Sequence, residues 1–325
     1  MHSEMCSRRT LNNFLGQNAP SLRSAVFIGI CSALESPLLL PSLTRLHLRL
    51  LGSMGPLPIS LLLRLCSSCP RLRNVHISIY CQILQDVALD QVISLDSLVE
   101  LEYTYNTDTV TRLLPFLELP RLKQLQIFLP VERVEKTADL FPHNGHTLLS
   151  GATTMSYFYG RSSQVLGLSG KEVDALFTSL DHGAGETSAG WFSDEAYIPF
   201  GQIEDIEFSG VYISADFPIH LFKNVTTIRV PLSDGRIAKS VLRLLLPGAG
   251  TEIPCPSLRE ISYTLPLPTE PYTRSLINLT RERERAGYKL ELVHVLSTQK
   301  LTPDLERDLR AHVGELRAEV LEEDI

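Results

Sequence analysis

Few side chains in this sequence have the types and spacing that chemistry requires. Cys66 and Cys69 form a Cys-x-x-Cys pair, the spacing of half a zinc site or of a redox dithiol. A zinc site would need a second pair at matching spacing, and none occurs. Cys66 continues the apolar positions Ile59, Leu62, Leu63 and Leu65, and Cys69 opens the phrase Cys69-Pro70-Arg71-Leu72, so both are expected as buried thiols. His143 and His146 have ligand-like spacing, but the Asn144-Gly145 between them is turn chemistry and reads as a loop. Gly183-Ala184-Gly185-Glu186-Thr187 lacks the Lys-Ser/Thr of a phosphate cradle, and Gly248-Ala249-Gly250 follows a helical pattern where a dinucleotide fingerprint follows a strand. No Gly-x-Ser-x-Gly elbow is present. The expectation is therefore a non-enzymatic chain with no catalytic residues, no cofactor and no metal ligands.

A second set of candidates is defined by alternation. Arg45, His47 and Arg49 stand between apolar neighbours, as do Asn74 and His76, Glu100 and Glu102, Gln124 and Gln126, then Asp205 and Glu207, and Arg229. In a strand successive side chains point to opposite faces, so these residues share the face that is not buried. The row runs from basic at the amino end to acidic in the middle, which leads to the expectation of a protein-binding face favouring a basic partner.

The elements that would position this face come from a recurring phrase, apolar at first, fourth and sixth place. It reads Leu43-Leu46-Leu48, Leu72-Val75-Ile77, Leu98-Leu101-Tyr103 and Leu122-Leu125-Ile127, with a weaker Leu22-Ala25-Phe27 ahead. The spacing of the four strong phrases is roughly 24 to 29 residues, the period of a leucine-rich repeat. It resumes as Ile203-Ile206-Phe208, Val225-Ile228-Val230, Leu258-Ile261-Tyr263 and Leu290-Leu292-Val295. The predicted fold is α/β: a leucine-rich-repeat solenoid of about nine strands, a curved parallel sheet with helices on its convex side, forming one domain over residues 1–325.

Between the phrases, return helices are expected at Thr10–Asn18, from Ile59 to Cys66, from Val110 to Leu117, at Arg133–Phe141, Phe217–Phe222, Arg236–Leu246 and Tyr272–Ala286, with Gly287 as the stop. Residues 145–200 are irregular. Thr153-Met155-Tyr157-Tyr159 and Val165-Gly167 around Gly160–Ser163 predict an antiparallel hairpin near 153–169, Val173-Leu176-Phe177-Leu180 predicts a helix, and Gly183–Gly190 a loop. Arg281-Glu282-Arg283-Glu284-Arg285 alternates in sign and reads as a solvated helix face. Residues 301–325, with a helix over Pro303–His312, form a carboxyl-terminal cap.

With 30 basic and 37 acidic residues the chain carries a net charge of −7, which disfavours a nucleic-acid or anionic membrane partner. No apolar run has the length of a membrane span, and no signal peptide opens the sequence, so a cytoplasmic or nuclear protein is expected. Six scattered cysteines do not form a disulfide framework.

The openings Cys69-Pro70-Arg71-Leu72 and Leu119-Pro120-Arg121-Leu122, and the ending Arg281–Leu292 followed by Leu305–Leu316, resemble the leucine-rich-repeat portion of the F-box protein families of mushroom-forming fungi. The resemblance covers nearly the whole chain. It implies a substrate-recognition scaffold of a cullin-type ubiquitin ligase. Met1–Thr10 offers no F-box-like phrase, so docking on the ligase's linker subunit is expected only if an F-box is supplied. The alternative is a free-standing repeat scaffold with no ligase link.

Overall fold

The recurring apolar phrase becomes a set of buried rows. A computed structural model of the chain describes residues 21–29, 41–51, 57–81, 83–84, 86, 92–105, 113–130, 142, 144–159, 163–171, 174–180, 198–211, 213, 217–231, 236–247, 252–265 and 270–321. The helices expected at Thr10–Asn18 and Arg133–Phe141, the Gly183–Gly190 loop and the Gly248–Gly250 loop lie outside these residues. By contacts the chain divides into two compact units, Met1–Leu149 with Val173–Leu180, and Ser150–Glu172 with Asp181–Ile325.

The first unit contains six main strands: β1 (Ser24–Ile28), β2 (Arg45–Leu50), β3 (Asn74–Ile79), β4 (Glu100–Tyr105), β5 (Gln124–Pro130) and β8 (Asp174–Leu180). They pair in the order β1-β2-β3-β4-β5-β8, every pair parallel. The second unit contains seven: β6 (Ala152–Tyr159), β7 (Ser163–Gly170), β9 (Asp205–Gly210), β10 (Thr227–Val230), β11 (Glu260–Leu265), β12 (Leu292–Ser297) and β13 (Glu315–Val320). Here β6 and β7 form the antiparallel hairpin that the sequence predicts, and β6-β9-β10-β11-β12-β13 are parallel.

In seven phrases, from Leu43-Leu46-Leu48 to Leu258-Ile261-Tyr263, all three apolar residues are buried. Full burial of such side chains contributes about 1.5–3 kcal/mol each before the entropy of ordering them. Four of the entries use one turn. The carbonyls of Cys69, Leu95, Leu119 and Cys255 accept from the N–H groups of Leu72, Leu98, Leu122 and Leu258 at 3.0 to 3.3 Å. Proline follows the first residue in three of the four, where its fixed φ suits a β-turn. The first turn residue is buried in all four, which accounts for Cys69 and Cys255 as core thiols.

Returns to the next strand differ in kind. Helix α1 (Ile59–Ser67) buries Ile59, Leu62, Leu63 and Cys66, the face that the sequence predicts. Helix α2 is short (Gly145–Leu149), α3 (Arg236–Leu245) buries Ile237, Ala238, Val241, Leu242 and Leu245, and α4 (Glu270–Arg285) and α5 (Pro303–His312) follow. Gly287, at φ +84°, ends α4 as expected, with the Tyr288 N–H reaching back to the Arg283 carbonyl at 2.8 Å.

Five expectations are corrected. The helix expected from Val173 to Leu180 is a strand over Asp174–Leu180: β8 pairs with β5, and Ala175 and Phe177 are its buried positions. Of the helix expected over Val110–Leu117, residues 110–112 lie outside the described residues, and the rest is a 3-10 turn, Leu114–Phe116, running into the short strand Leu117–Glu118, where Pro115 removes a helical donor. The Phe217–Phe222 segment is likewise a 3-10 turn, Ile219–Leu221, preceded by Pro218. In β12 the buried positions are Val293 and Val295, so the phrase is Leu290-Val293-Val295. The carboxyl-terminal segment is more than a helical cap, since it adds β13 in parallel to β12. The two omitted strands β8 and β13, with the hairpin pair, raise the main strands from the expected nine to thirteen among the described residues.

Candidate binding face

The polar residues between buried ones fall into rows, because the strands of each unit are in register. In the first unit one row reads Ser24, Arg45, Asn74, Glu100, Gln124 and Asp174, and the next Val26, His47, His76, Glu102, Gln126 and Leu176. Arg49 belongs to a third row, with Ile28, Ser78, Thr104 and Phe128. All nine candidates that the sequence places here share this face. Eight of them, Arg49 excepted, line one open groove of about 400 Å³, which Ser24 and Val26 of β1 extend.

The groove has internal structure that alternation alone cannot reveal. The rings of His47 and His76 stack with centroids 4.2 Å apart. His76 Nδ1 lies 3.1 Å from Glu102 Oε2, and Nε2 lies 2.9 Å from Ser78 Oγ. With the ring neutral, this geometry has Nδ1–H donating to the carboxylate and the serine hydroxyl donating to Nε2. Burial lowers the His76 pKa; Glu102 opposes that and His47 adds to it. Ser78, His76 and Glu102 have the connectivity of a nucleophile, base and orienting acid. Ser78 is only 5% exposed, however, and its strand is paired on both sides, leaving no free N–H pair there for an oxyanion. The chain of hydrogen bonds orients His76.

Charge on this face is more committed than the sequence conveys. The Asn74 amide donates to Glu100, and Glu102 faces His76. Arg49 sits 5.4 Å from the Tyr80 ring centre, in cation–π range. Neither Arg45 nor Arg49 meets a carboxylate among the described residues. The carboxylates are therefore partly used within the face, while the two guanidinium groups are not held by carboxylates among the described residues.

In the second unit Asp205 shares a row with Thr154, Thr227, Glu260, Leu292 and Glu315, and Glu207 with Ser156, Arg229, Ser262, His294 and Arg317. Arg229 Nη2 reaches diagonally to Asp205 Oδ1 at 3.7 Å. Arg317 holds Glu315 at 2.7 Å, a hydrogen bond that lowers the Glu315 pKa and raises that of Arg317.

The other sequence candidates take structural places. Cys66 and Cys69 are free and buried, and burial pushes the Cys66 thiol up to about 12. Among the described residues no group of three His, Cys, Asp or Glu side chains could hold a metal, and the His143 and His146 side chains lie outside them. The solvated-face reading of Arg281–Arg285 fails at Arg283, which is fully buried. Its Nη1 and Nη2 donate to the carbonyls of Pro254 and Cys255 at 2.8 and 3.0 Å. Arg285 is exposed and pairs with Glu282, as that reading requires. No helix among the described residues is long and apolar enough to cross a membrane.

Comparison of the chain with protein families, and with curated proteins, finds no match.

Proposed function

We propose that this chain is a leucine-rich-repeat module that binds a protein partner on the open face of its sheet and performs no chemistry of its own. The observation that carries this reading is the groove of the first unit, where eight polar residues from four parallel strands line one surface in register. Open sheet faces of repeat proteins are extended surfaces of this kind. The resemblance of the Pro-x-Leu openings and of the ending extends the proposal to substrate recognition for a cullin-type ubiquitin ligase.

Affinity capture from cell extract tests the first part. Gln124→Glu with Gln126→Glu alters exposed side chains of β5 and should remove captured partners, whereas Arg64→Glu on α1 should not. Capture that survives the glutamine changes and is lost with Arg64→Glu would overturn the face assignment. For the ligase part, a fusion carrying an F-box ahead of Met1 should co-elute with the linker subunit and promote ubiquitylation of the captured partner. A partner that is captured but never ubiquitylated would favour the free-standing scaffold.

A further inference from the structure

The strand entries of the first unit carry a line of exposed cations. Backbone bonds set Arg23, Thr44, Arg73, Val99 and Lys123 at successive entries: Thr44 N–H to Arg23 O at 2.9 Å, Arg73 to Thr44 at 2.9 Å, Val99 to Arg73 at 2.8 Å and Lys123 to Val99 at 2.8 Å. The cations thus recur at every second strand. Arg71 and Arg121 stand two residues before Arg73 and Lys123, and Arg45 opens the adjoining row of the groove. All six are exposed, and among the described residues none makes an ion pair. The nearby acids are fewer: Asp96 is held by the Ser94 hydroxyl at 2.6 Å, Glu100 by Asn74, Glu118 is exposed opposite Ser94, and Asp174 lies on the last strand. A chain of net charge −7 therefore sets more positive than negative charge along one rim among the described residues.

We propose that this rim docks an extended acidic segment of a partner polypeptide. The idea deepens the sheet-face reading, since it names the kind of segment that would lie along the groove's edge. Spacing supports it. Strands lie about 4.8 Å apart, so cations at alternate entries recur at about 9.6 Å. An extended polyproline-type segment rises about 9.3 Å per three residues and returns to the same side, so acids at every third residue meet successive cations. Gln124 and Gln126 beside the rim supply amide groups for such a segment's backbone. Nucleic acid fits less well. Among the described residues the rim has no aromatic ring on which a base could stack, and the chain's overall negative charge opposes a phosphate backbone.

The test uses the full chain and a fluorescent twelve-residue (Glu-Pro-Pro)4 peptide, read by anisotropy at low and raised salt. Binding should weaken with salt and fall roughly tenfold or more with Arg73→Glu and Lys123→Glu together. Arg259→Glu in the second unit should leave it unchanged, and circular dichroism checks that each variant is folded. A peptide of the same composition with its glutamates clustered should bind more weakly. The proposal is overturned if the acidic peptide does not bind, if rim reversal has no effect, if clustered glutamates bind as well, or if a twelve-nucleotide RNA binds more tightly. Absence of peptide binding with partner capture still dependent on Gln124 and Gln126 would sink this inference alone. Rim-dependent peptide binding without such capture would instead sink the wider face reading.

Discussion

Arg283 offers the sharpest test of how the second unit is held together. Its guanidinium is buried, meets no carboxylate among the described residues, and donates to the carbonyls of Pro254 and Cys255. Those carbonyls belong to the turn entering β11, where Cys255 adopts φ +46°, a left-handed conformation that a side chain disfavours. Arg283 therefore ties helix α4 to a strained turn. Arg283→Ala removes two hydrogen bonds from a charged donor, about 1.5–3 kcal/mol each, and relieves the burial that lowers the guanidinium pKa. The net cost is about 3–5 kcal/mol. Arg283→Met keeps most of the volume but leaves both carbonyls unpartnered, for about 2–4 kcal/mol. Arg285→Ala, on an exposed pair, should stay within about 0.5 kcal/mol of the parent. Urea unfolding of the three variants should rank them in that order. If Arg283→Ala and Arg285→Ala unfold alike, the buried-cation account is wrong.

Other perturbations probe the rest of the molecule. Leu125 is fully buried in β5, so Leu125→Asp would place an unpaired carboxylate in the core and should cost more than about 4 kcal/mol, unfolding neighbouring strands; an unchanged circular dichroism spectrum and melting temperature would mean the strand is misplaced. Burial lowers the His76 pKa in the folded chain, so the unfolded chain takes up the proton first, and the stability this residue contributes is present above the ordinary value of 6.5 and lost as pH falls below it. His76→Gln should flatten that acid slope, and an unchanged slope in denaturant titrations from pH 7 to 5 would remove His76 from the account. Burial pushes the Cys66 and Cys255 thiols up to about 12, so at pH 8 mass spectrometry should find them alkylated only as fast as the fold opens; rapid labelling of native protein, or melting altered by a chelator, would revive the Cys-x-x-Cys site.

The legible parts of the fold were those in which one side of a strand is apolar and the other polar. Leu43 to Ile127 meets that condition, so the buried rows and the outward candidates followed from alternation alone. Strand β8 does not. Its buried pair is Ala175 and Phe177, while Leu176 on the other face completes a helical spacing with Val173 and Leu180. Strand β13 was hidden because Val313-Leu316-Ala318 is a weak phrase among charges. The His47–His76 stack and the link from Ser78 to Glu102 depend on register between strands that no single strand contains. For Arg283, the acceptors lie 29 and 28 residues earlier, and an alternating run of charges gave no sign that one member points inward.

A photo-crosslinking amino acid in place of Gln126, compared with one in place of Arg64, tests the central claim most directly. Gln126 points from β5 into the groove face, and Arg64 is the exposed side of α1. Irradiation in cell extract should produce a discrete crosslinked partner from position 126 and none from position 64. Crosslinks from position 64 alone would place the partner on the helical side and contradict the account.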